Sequence, residues 1–96
     1  MSEFVLEDCG GGRFALSGDM SFQTTDRILR ASDGQFGQHA SLEIDLSRVE
    51  RADSAGLALL LEWKAQARQR NATIRFQALP KSLLAIARAS EVDGLI

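Results

Sequence analysis

The chain has 96 residues, 45% hydrophobic and 25% charged, with 11 Lys and Arg against 13 Asp and Glu and a net charge of -2. That is ordinary globular composition, enough for one modest core and too little for two domains or a deep substrate cleft. Its basic residues are scattered, which excludes the clustered footprint that nucleic-acid binding needs, and the lone Cys9 excludes an intramolecular disulfide and fits a reducing compartment.

In chain order, the N-terminal segment MSEFVLED is acidic and lacks a basic region followed by a long apolar run, so it does not read as a signal peptide. Phe4 to Glu7 reads as a short strand, and Cys9 to Gly12 as a turn whose glycines supply positive φ angles. Arg13 to Ser17 is a second strand, with Phe14 and Leu16 on one face and Ala15 on the other, completing an N-terminal hairpin. Thr24 to Ala31 reads as a helix capped by Thr24 or Thr25, with Ile28 and Ala31 on one side. Asp33 to Ala40 reads as a polar loop, because two glycines break any period there, and it holds the only histidine, His39. Leu42, Ile44 and Leu46 alternate with Glu43 and Asp45, the pattern of a strand with one buried face.

Ser54 to Arg70 carries the strongest helical pattern, capped by Asp53 or Ser54 and ending before Asn71. Lys64, Arg68 and Arg70, with Arg75 just beyond, read as a solvated face. Thr73 to Gln77 is a strand carrying Ile74 and Phe76. Pro80 starts a last helix with the stripe Leu83, Ile86, Ala87 and Ser90, followed by a tail from Val92 to Ile96. The order β-β-α-β-α-β-α predicts an α/β fold, a mixed β-sheet covered by α-helices. The longest apolar run, Gly56 to Leu61, is far short of a membrane span, so the expectation is a soluble, cytoplasmic protein that meets a membrane only through a partner.

The informative stretch runs from Ile44 to Trp63. The first N–H groups of a helix lack internal partners and carry the positive end of its dipole. A hydroxyl at Ser54 suits that position as a cap, and a phosphate on Ser54 would suit it as an anion, adding a concentrated dianionic charge beside Asp53. Two apolar arcs run along the helix: Leu57, Ala58, Leu61 and Ala65 on one, Leu59, Leu60, Trp63 and Ala67 on the other. A helix over one sheet face needs a single arc. The second, with Leu59, Leu60 and Trp63, is covered either by neighbouring helices or by a partner protein; for Trp63 the reading is a partner interface.

Enzymatic signals are weak. Gly10-Gly11-Gly12 lacks the Gly-Lys-Ser/Thr ending of a phosphate loop and leads into a strand. Asp19, Asp45 and Asp53 are single acids with no His or Cys set for a metal, and Cys9 has only His39 as a potential base. No enzyme activity, cofactor or metal is expected.

These residues resemble a known family. A strand followed by Asp53-Ser54-Ala55-Gly56-Leu57 at a helix start is similar to the STAS domains, and Leu16-Ser17-Gly18-Asp19 looks like that family's turn after the second strand. The resemblance covers nearly the whole chain and implies one STAS domain over residues 1–96, a mixed sheet with helices packed on it. Ile44 to Val49, followed by Asp53 to Leu61, looks most like the MlaB type, the small STAS subunits of ABC systems that move phospholipids between the membranes of Gram-negative cells. That likeness implies a non-catalytic subunit binding the cytoplasmic ATPase, beside a membrane permease, at the inner membrane. It places the family's Ser/Thr position on Ser54, as a partner contact or phosphorylation site, and a partner surface on Asp53, Ala55 and Gly56, continuing into Leu59, Leu60 and Trp63. The alternative within the family is an anti-sigma factor antagonist, switched when a serine kinase phosphorylates Ser54. This sequence departs from that pattern at Ser21, where an acidic residue commonly stands.

Overall fold

Alternation of apolar and polar residues builds the sheet, and the computed structural model describes it over residues 3–96. Met1 and Ser2, part of the N-terminal segment and of the 1–96 span read from the sequence, lie outside the described residues. Strands β1 (Phe4–Gly10) and β2 (Arg13–Met20) pair antiparallel, Phe4 opposite Gly18 and Asp8 opposite Phe14. Gly10, Gly11 and Gly12 turn between them with φ of 90°, 64° and 83°, a region open to glycine and costly for side chains.

Helix α1 (Thr25–Phe36) then leads to β3 (Ser41–Ala52), α2 (Ser54–Gln69) to β4 (Thr73–Gln77), and α3 (Lys81–Ala89) to a short 3-10 turn at Asp93–Leu95. The order β-β-α-β-α-β-α is the one read from the sequence. The four strands lie in the order β1-β2-β3-β4, with β2, β3 and β4 mutually parallel. Both parallel crossovers step the same way across the sheet, so right-handed connections place α1 and α2 on one face. Phe14, Leu16, Met20, Leu42, Ile44, Leu46 and Ile74 face those helices and are buried. The opposite face carries Ala15, Ser17, Glu43 and Asp45, half-buried, and the exposed Val5.

Four elements outrun their sequence reading, the first being β1, which runs past Glu7 through Cys9 to Gly10, residues read as the start of the turn. β2 continues to Met20, so Leu16-Ser17-Gly18-Asp19 lies inside a strand rather than in a turn after it. Gly18 there has φ 91° and sits where the β2–β3 register shifts. β3 runs on to Ala52, well past Leu46, because its second half still pairs with β2, Val49 opposite Gly18 and Ala52 opposite Met20. α1 continues through Gly34 to Phe36, taking in the start of the segment read as a loop. Ile28, Ser32 and Phe36 are spaced one turn apart and all buried, so packing outweighs the cost of an exposed Gly34, about 1 kcal/mol.

That extra turn decides the fate of Trp63. The Phe36 and Trp63 rings are 5.1 Å apart, Phe14 and Phe36 4.8 Å, and Trp63 and Phe76 6.3 Å. The indole Nε1 donates to Ser32 Oγ at 2.9 Å, and Trp63 is 1% exposed. Leu59 and Leu60 are buried with it. The arc assigned to a partner is therefore the one that covers the sheet, and Trp63, Leu60 and most of Leu59 are core. In the other arc, Leu57 is buried, Leu61 is half-buried, and Ala58 and Ala65 are exposed. The α3 stripe holds at Leu83 and Ala87, both buried, and fails at Ser90, which is exposed.

Candidate protein-interaction site

The start of α2 is organised by Asp53, which settles the choice of cap. Its backbone is extended, at φ -139° and ψ -166°, and its Oδ1 accepts the Ala55 N–H at 2.9 Å. Its carbonyl accepts the Gly56 N–H at 2.9 Å. The second carboxylate oxygen, Oδ2, accepts the Phe22 N–H at 3.1 Å, 31 residues away in sequence. One side chain thus caps α2, sets a negative charge at the positive end of its dipole, and ties down the loop between β2 and α1. Asp53 is half-buried. Relieved of capping, Ser54 opens the helix as an exposed residue.

The loop that Asp53 holds is knotted further by Thr24. Its hydroxyl accepts the Ser21 N–H at 3.0 Å and donates to the Asp19 carbonyl at 2.8 Å, while the N–H groups of Thr24 and Thr25 both reach the Ser21 carbonyl at 2.9 Å. Thr24 therefore occupies the N-cap position of α1 without capping it through its side chain. The loop so fixed displays Phe22 at 84% exposure.

Gly56 is not a surface residue. A Cβ there would sit 2.7 Å from the Met20 carbonyl oxygen and 3.5 Å from Leu83 Cδ2, so its bare Cα is what lets α2 press on the end of β2 beneath α3. Its assignment to a partner surface is corrected on that ground. Of the six residues expected to meet a partner, Ala55 lines open space, Asp53 positions a loop, Leu59 shows only an edge, and Gly56, Leu60 and Trp63 are interior.

The open space is a groove of ≈ 540 Å³ between α1 and α2. Phe22 stands at one end. Thr25 and Leu29 line the α1 wall; Ala55, Ala58 and the edge of Leu59 line the α2 wall. Asp26 and Glu62 bring negative charge to opposite walls, and no lining residue is basic. Asp26 meets Arg30 at 2.6 Å in an exposed pair, and Glu62 accepts from Gln66 Nε2 at 3.3 Å. Phe22, Leu29 and Ala58 were missed from sequence. The signal for Phe22 was an aromatic residue in an otherwise polar turn.

Elsewhere, Cys9 Sγ donates weakly to the Glu7 carbonyl at 3.8 Å, and His39 packs edge-on to Phe14 at 5.9 Å. Among the described residues no group of three or more His, Cys, Asp or Glu side chains is placed to hold a metal ion. Among them, too, no helix is long and apolar enough to cross a membrane.

A sequence model of the family described as "Mlab, STAS domain" matches residues 8–96. The chain belongs to the STAS domain family. This STAS domain is similar to the anti-sigma factor antagonist SpoIIAA in its unphosphorylated form, at 14% identity and a TM-score of 0.73 over 95% of this chain and 83% of that one. It is similar to an anti-sigma factor antagonist from Mycobacterium paratuberculosis at 21% identity and a TM-score of 0.71, over 97% and 80%. The Bacillus cell fate determinant SpoIIAA in its phosphorylated form matches at 14% identity and a TM-score of 0.68, over 95% and 86%. At these identities the likeness is one of fold. No curated protein matches the sequence.

Proposed function

We propose that this STAS domain is a non-catalytic subunit that binds and supports the cytoplasmic ATPase of an Mla-type ABC transporter for phospholipids, serving outer-membrane lipid asymmetry. The observation that carries the reading is the match of the MlaB-type family over residues 8–96. The Asp53–Leu61 segment that resembles the MlaB type supports it, and so does an open groove with apolar walls beside the start of α2. On this reading residues 1–96 act as one domain in the cytoplasm, held at the inner membrane by the ATPase and its permease. The domain uses no cofactor and no metal, binds no nucleic acid and does not insert into the bilayer. Affinity capture of the tagged protein from detergent-solubilised source cells, read by mass spectrometry, tests it. Recovery of an ABC ATPase with its permease is expected, and recovery of a soluble serine kinase of the anti-sigma type in their place overturns it.

The exposure of Ser54 beside Asp53, on a fold shared with anti-sigma factor antagonists, favours one second reading: an antagonist switched by phosphorylation of Ser54. In that case Ser54→Asp is expected to release the captured partner, because new charge meets a surface fitted to a hydroxyl. Binding that survives the substitution counts against the switch.

A further inference from the structure

We propose that the groove between α1 and α2 docks an amphipathic helix of the partner, one that buries apolar side chains and flanks them with Lys or Arg. Phe22 is the hot spot of this surface, and Asp53 is the residue that positions it. The inference rests on the reading of this chain as a protein-binding subunit and adds the chemistry of what it binds.

Three observations select the occupant. The walls are two helices, whose backbone N–H and C=O groups along the groove are spent on their own hydrogen bonds. An incoming strand would find no ladder to extend, so side-chain packing is the available mode, as in a helix laid in a groove. The floor and walls are apolar through Leu29, Ala55, Ala58 and Leu59, and this apolar surface runs on to the exposed ring of Phe22. The charge is single-signed: Asp26 on one wall and Glu62 on the other, with no basic side chain in the lining. Arg30 does not cancel this field, since it and Asp26 are 74% and 72% exposed and such a pair is weakly held. A helix carrying Lys or Arg on both sides of an apolar stripe complements that pattern, and an acidic helix is repelled by it.

Phe22 is fit for the anchoring role because its loop is already ordered. Its N–H is bound by Asp53 Oδ2, and its neighbours are tied by Ser21 and Thr24. Little conformational freedom is then lost on docking.

The test uses the full chain, labelled with 15N, and a synthetic peptide of about 16 residues built from Leu, Ala and Lys in an amphipathic helical pattern. Amide shifts are expected at Phe22, Leu29 and Ala58, with binding lost when Glu replaces every Lys. Phe22→Ala is expected to weaken binding about thirtyfold, the size of a hot-spot truncation, with the rest of the spectrum unchanged. Asp26→Lys combined with Glu62→Lys is expected to reverse the preference between the two peptides. Asp53→Asn separates positioning from stability: the amide keeps one oxygen to cap Ala55 and loses the acceptor for Phe22. Its melting temperature should fall by only the few degrees that loss of the carboxylate charge at the helix N-terminus costs, while the Phe22 amide exchanges faster and the peptide binds more weakly. Shifts confined to the open sheet face, equal binding of Lys and Glu peptides, or full affinity in Phe22→Ala would overturn the groove. Full affinity in Asp53→Asn overturns the positioning role. None of these readouts involves the ATPase, so failure of the transporter reading in the capture experiment is a separate result.

Discussion

Trp63 holds the largest side chain of the core, and its indole N–H has a partner, Ser32 Oγ, that hydrogen-bonds in turn to the Leu29 carbonyl at 2.7 Å. Truncating it removes ring contacts with Phe36 and Phe76 and leaves a cavity under α2. Trp63→Ala is expected to lose about 3–5 kcal/mol in urea denaturation, a large part of the roughly 5–15 kcal/mol that holds a domain together. An unchanged unfolding midpoint would return Trp63 to the surface. Asp45 provides a pH readout on the open face. The Ser47 backbone N–H, at 2.9 Å from Oδ1, holds its carboxyl below the ordinary value of 3.8; the Ser47 hydroxyl and Arg48 add to this, and burial opposes it. A carboxyl lowered in the folded state contributes stability above its unfolded pKa and loses it as pH falls through the folded value. The gap in stability between wild type and Asp45→Asn is therefore expected to be flat near neutrality and to narrow below pH 3.8, measured by denaturation across a pH series.

At the scale of elements, two glycines in helices have opposite meanings. Gly34 lies exposed within α1 with nothing within 4 Å of a Cβ. Gly34→Ala is expected to raise stability by up to about 1 kcal/mol through helix propensity. Gly56 lies buried in α2, and there the same propensity gain meets a backbone carbonyl, Met20 O at 2.7 Å, that no rotamer change can move aside. Gly56→Ala is expected to cost about 1–3 kcal/mol and lower the melting temperature. If both variants melted alike, close approach would not be the reason for glycine at residue 56. The same pair shows what local pattern can convey. Gly34 breaks the polar-apolar period and so ended α1 too early in the sequence reading, yet Ser32 and Phe36 keep the helix going because each is buried against the rest of the core.

The whole molecule is two-sided, with helices over one face of the sheet and the other face open. On the proposed reading the partner meets the helical side, so Arg75→Glu, exposed on β4 opposite the inward Ile74 and Phe76, is expected to leave capture of the ATPase unchanged. Loss of capture would move the interface to the open face. The amino-acid sequence by itself determined the elements and their order, because strand alternation, helical period, caps and turns are written in near neighbours. Leu42, Ile44 and Leu46 could be read as one buried face, Asp53-Ser54 as a helix start, and the run to Leu61 as a STAS pattern without any long-range information. Only the tertiary structure decided which arc of α2 faces inward and what Asp53 does with its second oxygen. Both answers lie in hydrogen bonds between residues 31 apart, the Trp63 indole with the Ser32 hydroxyl and the Asp53 carboxylate with the Phe22 backbone N–H, and no periodicity along the chain encodes a distance of that kind.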